Sequence, residues 1–327
     1  MCDRPRIFKH LSLPIARNVV AGDNNSSHLS IAVREVWFSS SAALLASLDD
    51  FYVSRSADLA VQLVVAETTN DVYAPKLFDL VTPQSALCWM RSILATSLAV
   101  DAPQWATLFS TAASGTYNNQ WQVLDLSRFT PGSPPPPDTF WLLEEIPGLV
   151  TARDMTATLL QQGYWASYNI PYFEDISIQS GNAAACKYEL DGKHASCWES
   201  NPRANIFRQR QSSITSYEHL QRLLQYNDWT NDPLSLGDPH YAVSARNDLR
   251  PDAGSVYPSG GVDCKTSSAV RASAIRPEVD LHYGPTWDDQ PVFCWSSFEQ
   301  TYGTAVYSHF GQPDCANFNW TSFPYRA

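Results

Sequence analysis

The stretch LAVQLVVAETT, residues 59–69, constrains the fold more than any other part of the chain. Its Val and Leu residues crowd around Leu63–Val65, the pattern of a strand covered on both sides. LDDFYV (48–53) precedes it across a short polar spacer, so the two segments are predicted to form a hairpin. Upstream, SIAVREVWF (30–38) alternates loosely and reads as a further strand, whereas the polar stretch 18–28 reads as loop. The buried strand ends in Glu67, Thr68, Thr69 and Asn70. Four polar side chains at that position fit a solvated strand end, and they fit a pocket wall equally well.

Downstream, Pro83 opens a predicted helix running to about Ala99. Leu87, Met90, Ile93, Leu94 and Leu98 recur in it at three- and four-residue spacing, which predicts a core-facing stripe. Pro103 and QWATLFS suggest a second short helix. SGTYNNQ (114–120) is turn-like, with Gly115 available for a left-handed residue, and leads into the predicted strand WQVLDL (121–126). The proline-rich loop 127–139, with PGSPPPPD, is predicted to be an exposed extended rod. FWLLEEI (140–146) resumes a strand that pairs with 121–126 across it. Short helices are expected over 152–162, 213–225 and 265–275, and Pro171 keeps 164–174 out of a sheet interior. No repeat and no clean linker appears, so 1–327 reads as one α/β or α+β domain with long loops.

Charge narrows the partners. Lys and Arg number 22 against 33 Asp and Glu, a net charge of −11, which argues against nucleic acid and against an anionic membrane surface. No uncharged apolar run reaches the length of a transmembrane helix, and the first residues do not read as a signal peptide. The seven cysteines and the sequons at Asn24, Asn25 and Asn319 nevertheless suit an extracellular or lumenal protein. No CxxC, HExxH or paired histidine cluster is present, so neither a metal nor a cofactor is expected. Cys186 and Cys197, eleven residues apart, are equally well read as a local disulfide or as two thiols, and an odd total leaves at least one cysteine outside an intramolecular pair.

There is no GxSxG elbow, P-loop or GxGxxG. Asp49-Asp50, Glu144-Glu145 and Asp288-Asp289 are adjacent acids, which point to different faces of a strand and make a weak case for a glycosidase. More suggestive are the polar groups at strand ends: Thr68, Thr69 and Asn70 at one, and Asn118, Asn119 and Gln120 at another. An asparagine amide held near a reacting carbonyl donates to a developing oxyanion, although the same residues also serve as turn caps. In NPRANIFRQR, Ile206-Phe207 would draw Arg203 or Arg208 toward the core, where a guanidinium needs a partner.

The stretches LDDFYV, ETTN, SGTYNNQW, EEIPG, GYWASYNIPYFE, PRANIFRQR, YNDWTNDPLS, SARNDL, GGVDCK, GPTWDD and GQPD occur in that order. Together they resemble the phospholipase B-like (lysosomal laminin-ancestor) family, its second, lysosomal branch in particular, from about Arg6 to the C-terminus. The resemblance implies an Ntn-hydrolase αββα sandwich, made as a glycosylated lysosomal or secreted precursor. It also implies hydrolysis of a phospholipid acyl ester, or of an amide, by an N-terminal cysteine with its own α-amine as base. Asn118 or Asn119 then resembles the oxyanion-side asparagine, Thr68 or Thr69 a pocket-wall residue, and Arg203 or Arg208 a buried arginine that orients polar groups.

RIFKHLSLP (6–14) resembles a family segment that lies some way after the nucleophile. The sandwich is therefore expected to lack its N-terminal strand, with the nucleophile missing from this chain and an N-terminal fragment of its own precursor as a partner. Cys2 is not expected to fill that place, since the later segment follows it at once. The alternatives to a hydrolase are a catalytically inactive lumenal protein that binds lipid or glycan, and a different hydrolase using Asp49 and Asp50.

Overall fold

The structure, a computed structural model, describes residues 7–20, 27–47, 51–188 and 195–323, apart from 253, 255, 259, 304–306, 308 and 310. Cys2, Asn24, Asn25, Asp49 and Asp50 lie outside the described residues. The fold is mixed α and β, in two compact units, Arg6–Ala183 and Ala184–Ala327.

The first unit is built on a seven-stranded sheet of β1 (Ile7–Val20), β2 (Ser27–Ser40), β3 (Phe51–Ser56), β4 (Gln62–Thr69), β5 (Asn119–Asp125), β6 (Phe140–Ile146) and β7 (Leu149–Asp154). Spatial order equals chain order and every pair is antiparallel. The expected β3–β4 and β5–β6 pairings are present, and the prolines of 131–137 lie in the β5–β6 connection. Two expectations fail. Residues 18–20 and 27–28, read as loop, belong to a ribbon whose register runs unbroken from Ile7↔Ser40 to Val20↔Ser27. Backbone pairing carried through a polar stretch because ladder hydrogen bonds need no apolar side chains. Residues 152–154, read as the start of a helix, belong to β7, turned back on β6 by Pro147-Gly148 with Gly148 at φ +83°. The helix starts only at Thr156, as α3 below.

Two helices, α1 (Cys88–Leu98) and α2 (Ala102–Ser110), span the β4–β5 connection. Trp105, Phe109 and Trp121 pack ring on ring in one core with Val36, Phe38, Leu63, Val65 and Leu143. A second core gathers Phe140, Leu142, Ile146, Met155, Phe173 and Ile176, and is flanked by α3 (Thr156–Gln162) and α4 (Glu174–Gln179).

The expected stripe on α1 is wrong. Leu87, Met90, Leu94 and Leu98 are exposed, and of the stripe only Ile93 packs against the core. The helix instead buries Cys88, Arg91, Ser92, Ala95 and Thr96, a face of mostly small side chains with the same spacing. Small residues let the helix lie close to the sheet. The one large member of the face, Arg91, is held by the carbonyls of Ala86 (3.0 Å) and Phe109 (2.7 Å), by both Glu145 oxygens (3.0 and 2.7 Å) and by the Phe109 ring.

The second unit follows α5 (Asn182–Tyr188). It holds α6 (Pro202–Arg210), α7 (Tyr217–Leu224), α8 (Ala269–Ala272), α9 (Trp295–Tyr302) and a three-stranded antiparallel sheet of β8 (Asp263–Thr266), β9 (Val279–Tyr283) and β10 (Thr321–Phe323), with β9 central. The helix expected over 265–275 is only one turn, α8, because residues up to Thr266 are taken into β8 and Ser268 caps the helix start. Disulfides join Cys186 to Cys197 and Cys294 to Cys315. Arg246 is buried, paired with both Asp248 oxygens (2.8 and 2.7 Å) and with the carbonyls of Thr286 and Pro291.

Candidate functional site

The polar residues singled out at the end of β4 and the start of β5 meet across one ladder: Thr68 is opposite Gln120 and Thr69 opposite Asn119. The next rung continues it, with the Asn70 N–H donating to the Asn118 carbonyl at 2.8 Å. Gly115, three residues earlier, lies against the β6–β7 turn at Pro147. It sits at φ +63°, and a Cβ there would fall 2.4 Å from Pro147 Cα.

Strand alternation sorts the adjacent pairs. Thr68, Gln120 and Glu144 share the face of the second core, and Asn70 joins them through its side chain. Glu144 is fully buried and accepts four hydrogen bonds: from Gln120 Nε2 (2.6 Å), Asn70 Nδ2 (3.4 Å), and the backbone N–H groups of Tyr172 (2.7 Å) and Phe173 (2.9 Å). Burial pushes its carboxyl up, and the four donors pull it back. Gln120 is fixed at its other end, where its Oε1 accepts from Trp165 Nε1 (3.3 Å). The irregular segment 164–173 is thus tied to the sheet through one carboxylate. Thr69 belongs to the opposite face, where its hydroxyl meets the Tyr117 hydroxyl at 3.0 Å, while its carbonyl accepts from Asn169 Nδ2 at 2.6 Å.

The two asparagines differ. Asn119 is 0 % exposed, and neither atom of its amide has a partner among the described residues. Asn118 is 6 % exposed, its Oδ1 is sealed, and no described residue makes a hydrogen bond to its side chain. Across from it, Asn70 Oδ1 is also unpaired, but the Asn70 amide is oriented by Glu144. No hydrogen bond to a described residue therefore fixes which way the Asn118 amide points. Native interiors pair nearly all buried polar groups, so four amide atoms of Asn70, Asn118 and Asn119 without a partner among the described residues single out this strand end.

Glu144 and Glu145 face opposite ways, the first toward Gln120 and the second to Arg91. Sequence reasoning saw the pair but not its use. The available signal was two acids inside the apolar run FWLLEEI, each of which must find donors once buried.

Of Arg203 and Arg208, one of which was expected to be buried, neither is fully so. Arg208 lies in the second unit on the outer side of α6, with 52 % of its side chain exposed, and pairs with Glu199 at 3.5 Å. Arg203, on the same helix, is half-buried. The helix turns Pro202, Ala204 and Ile206 inward instead. Asn319 is exposed. Of the described cysteines outside disulfides, Cys88 is buried and hydrogen-bonded to Glu145, and burial pushes the Cys264 thiol up to about 12.

A sequence model of the phospholipase B family matches residues 3–323. Phospholipase B-like protein B of Dictyostelium discoideum is 39% identical over 300 residues, 91% of this chain and 50% of its own. Putative phospholipase B-like 2 of Bos taurus is 40% identical over 306 residues (87% and 49%), and phospholipase B-like 1 of Bos taurus 38% over 320 (96% and 52%). The chain spans about half the length of the curated relatives it matches. A match over nearly every residue, through both β4–β5 and the segment clasped by Glu144, places this chain in the phospholipase B family.

Proposed function

We propose that the protein is a hydrolase of acyl bonds, a phospholipid ester or an amide, and that the strand end around Asn118 is part of its active site. The unheld Asn118 amide carries this reading. In the proposed reaction a cysteine thiolate attacks the acyl carbon, the carbonyl oxygen becomes an oxyanion, and the Asn118 N–H donates to it. The cysteine's own α-amine takes the thiol proton and gives it to the leaving alcohol or amine. Water then cleaves the thioester. Thr68 is assigned to the pocket wall on the same face. The arginine role expected of Arg203 or Arg208 passes to Arg203, because Arg208 is exposed and its hydrogen bonds go to Asn205 and Glu199. No described cysteine suits the nucleophile, since a reactive thiol needs a lowered pKa and access. That step is assigned to the N-terminal cysteine that the resemblance implies, and not to Cys2.

The resemblance extends the proposal to the αββα sandwich, supported by a seven-stranded sheet with α1 and α2 on one face. An oxidising compartment, lysosomal or secreted, is supported by two disulfides and by the exposed Asn319. The second reading, a non-catalytic lipid or glycan binder, draws on the inert described thiols. Protein expressed from its complete coding sequence separates the two. Released fatty acid from a labelled phospholipid, or amine from a labelled amide, supports the hydrolase. Vesicle or glycan binding without either product supports the binder.

A further inference from the structure

We propose that the cleft between Arg210 and α7 is a binding site for the phosphate group of a small molecule. The cleft measures about 270 Å³, lies within the second unit, and takes in Arg210, His219 and Arg222 as well as Ile214, Leu223 and Tyr226. Three basic residues around one cavity need a reason in a chain of net charge −11. His219 and Arg222 are three residues apart on α7 and so share a face.

The guanidinium groups are set up rather than spent. Arg210 lies flat on the Tyr226 ring, 3.9 Å from its centre, and Nη2 donates to the Tyr226 hydroxyl at 2.6 Å. Its contact with Asp232 is a long 3.5 Å, because Tyr226 satisfies Asp232 directly at 2.6 Å. Nη1 bonds to no described residue, and Nε is buried with no partner. Arg222 is exposed and makes no hydrogen bond or ion pair with any described residue. The His219 Nδ1 meets the Thr215 hydroxyl at 3.2 Å, which leaves Nε2 for a ligand.

Two carboxylates compete for these arginines. Asp232, 3.5 Å from Arg210, is satisfied by the Tyr226 hydroxyl, and Asp289 feels both arginines while burial and the neighbouring Asp228 and Asp288 push its carboxyl up. The Arg222 fork, the Arg210 Nη1 and an imidazole suit a tetrahedral oxyanion with several acceptor oxygens better than a carboxylate, which one fork already fills. Ile214 and Leu223 line an apolar wall that bare phosphate does not use, which leaves room for an organic group on the phosphate. The cleft shares no residue with the Asn118 cluster, so it stands apart from the hydrolase reading.

Isothermal titration of the purified chain with inorganic phosphate and with sn-glycerol 3-phosphate tests it, with glycerol as the uncharged control. The expected result is one saturable site for a phosphate-bearing ligand and none for glycerol. Arg222→Gln should weaken binding about tenfold or more, the value of one charge-assisted contact. Arg222 supports no other side chain by hydrogen bonding, so a circular-dichroism melt of the variant should match the parent. Tighter binding of glycerol 3-phosphate identifies a carried phosphate, and tighter binding of inorganic phosphate identifies the free ion; loss in Arg222→Gln supports the site in both cases. Absence of saturable binding, equal binding of glycerol, or unchanged affinity in a folded Arg222→Gln would overturn it.

Discussion

Glu144 shows how one side chain organises the candidate site. Four donors converge on it, and two of them come from a segment with no regular structure. Its carboxyl is raised above the ordinary 4.5, chiefly by burial, so between that value and its folded value the native state holds a proton that the unfolded chain has released. The stability of the protein should therefore fall as pH rises through that window. Glu144→Gln should lose this slope. It should also cost roughly 1–3 kcal/mol throughout, because its NH2 turns a donor toward the backbone N–H of Tyr172 or Phe173. Urea unfolding at a series of pH values, parent against variant, gives the difference directly, and identical slopes would remove Glu144 from this role. Asn119 is the opposite case. Its amide has no partner to lose, so Asn119→Ala should leave stability unchanged or slightly raised.

At the level of elements, α1 separates what the sequence revealed from what it hid. Its existence and its end near Ala99 followed from the periodic leucines, but its start did not: the helix begins at Cys88, and Pro83, expected to open it, lies in the turn before it. Its orientation did not, because residues 87, 90, 94 and 98 and residues 88, 91, 95 and 99 carry the same helical spacing, one position out of phase. Size favoured the first set and packing chose the second, since Ala95 and Ala99 admit the close approach that leucines would block. Leu94→Ser should accordingly change unfolding free energy by less than about 0.5 kcal/mol. Ala95→Leu should cost about 1–3 kcal/mol through overpacking. A larger loss from Leu94→Ser than from Ala95→Leu in denaturant melts would reverse the assignment. The strands fared better. β3–β4 and β5–β6 were legible because apolar runs bounded by turn residues leave few alternatives, whereas β1 and β7 are partly polar and depend on their neighbours' ladders. The site was legible as a set of residue types at strand ends. Which member of Asn118/Asn119 or Thr68/Thr69 faces where required the register, and the exposure of Arg208 required the buried side of α6.

Across the whole molecule, the two disulfides both fall in Ala184–Ala327, closing loops of 11 and 21 residues. Loops of that length are worth about 3 kcal/mol each on the chain-entropy estimate. Dithiothreitol should therefore speed hydrogen exchange in β9 and α9, and unchanged exchange there would show that the bridges add no stability. Activity is the other property of the whole protein, and it tests the assignment of the Asn118 strand end most directly. The measurement is steady-state hydrolysis by Asn118→Ala and Asn119→Ala in protein expressed from its complete coding sequence, with melting points recorded beside the kinetics. An oxyanion donor acts mainly in the transition state, so Asn118→Ala should lower kcat about 10²- to 10³-fold with little change in KM. Asn119→Ala should keep kcat near that of the parent, and both variants should melt normally. A folded Asn118→Ala protein with full kcat would contradict the assignment.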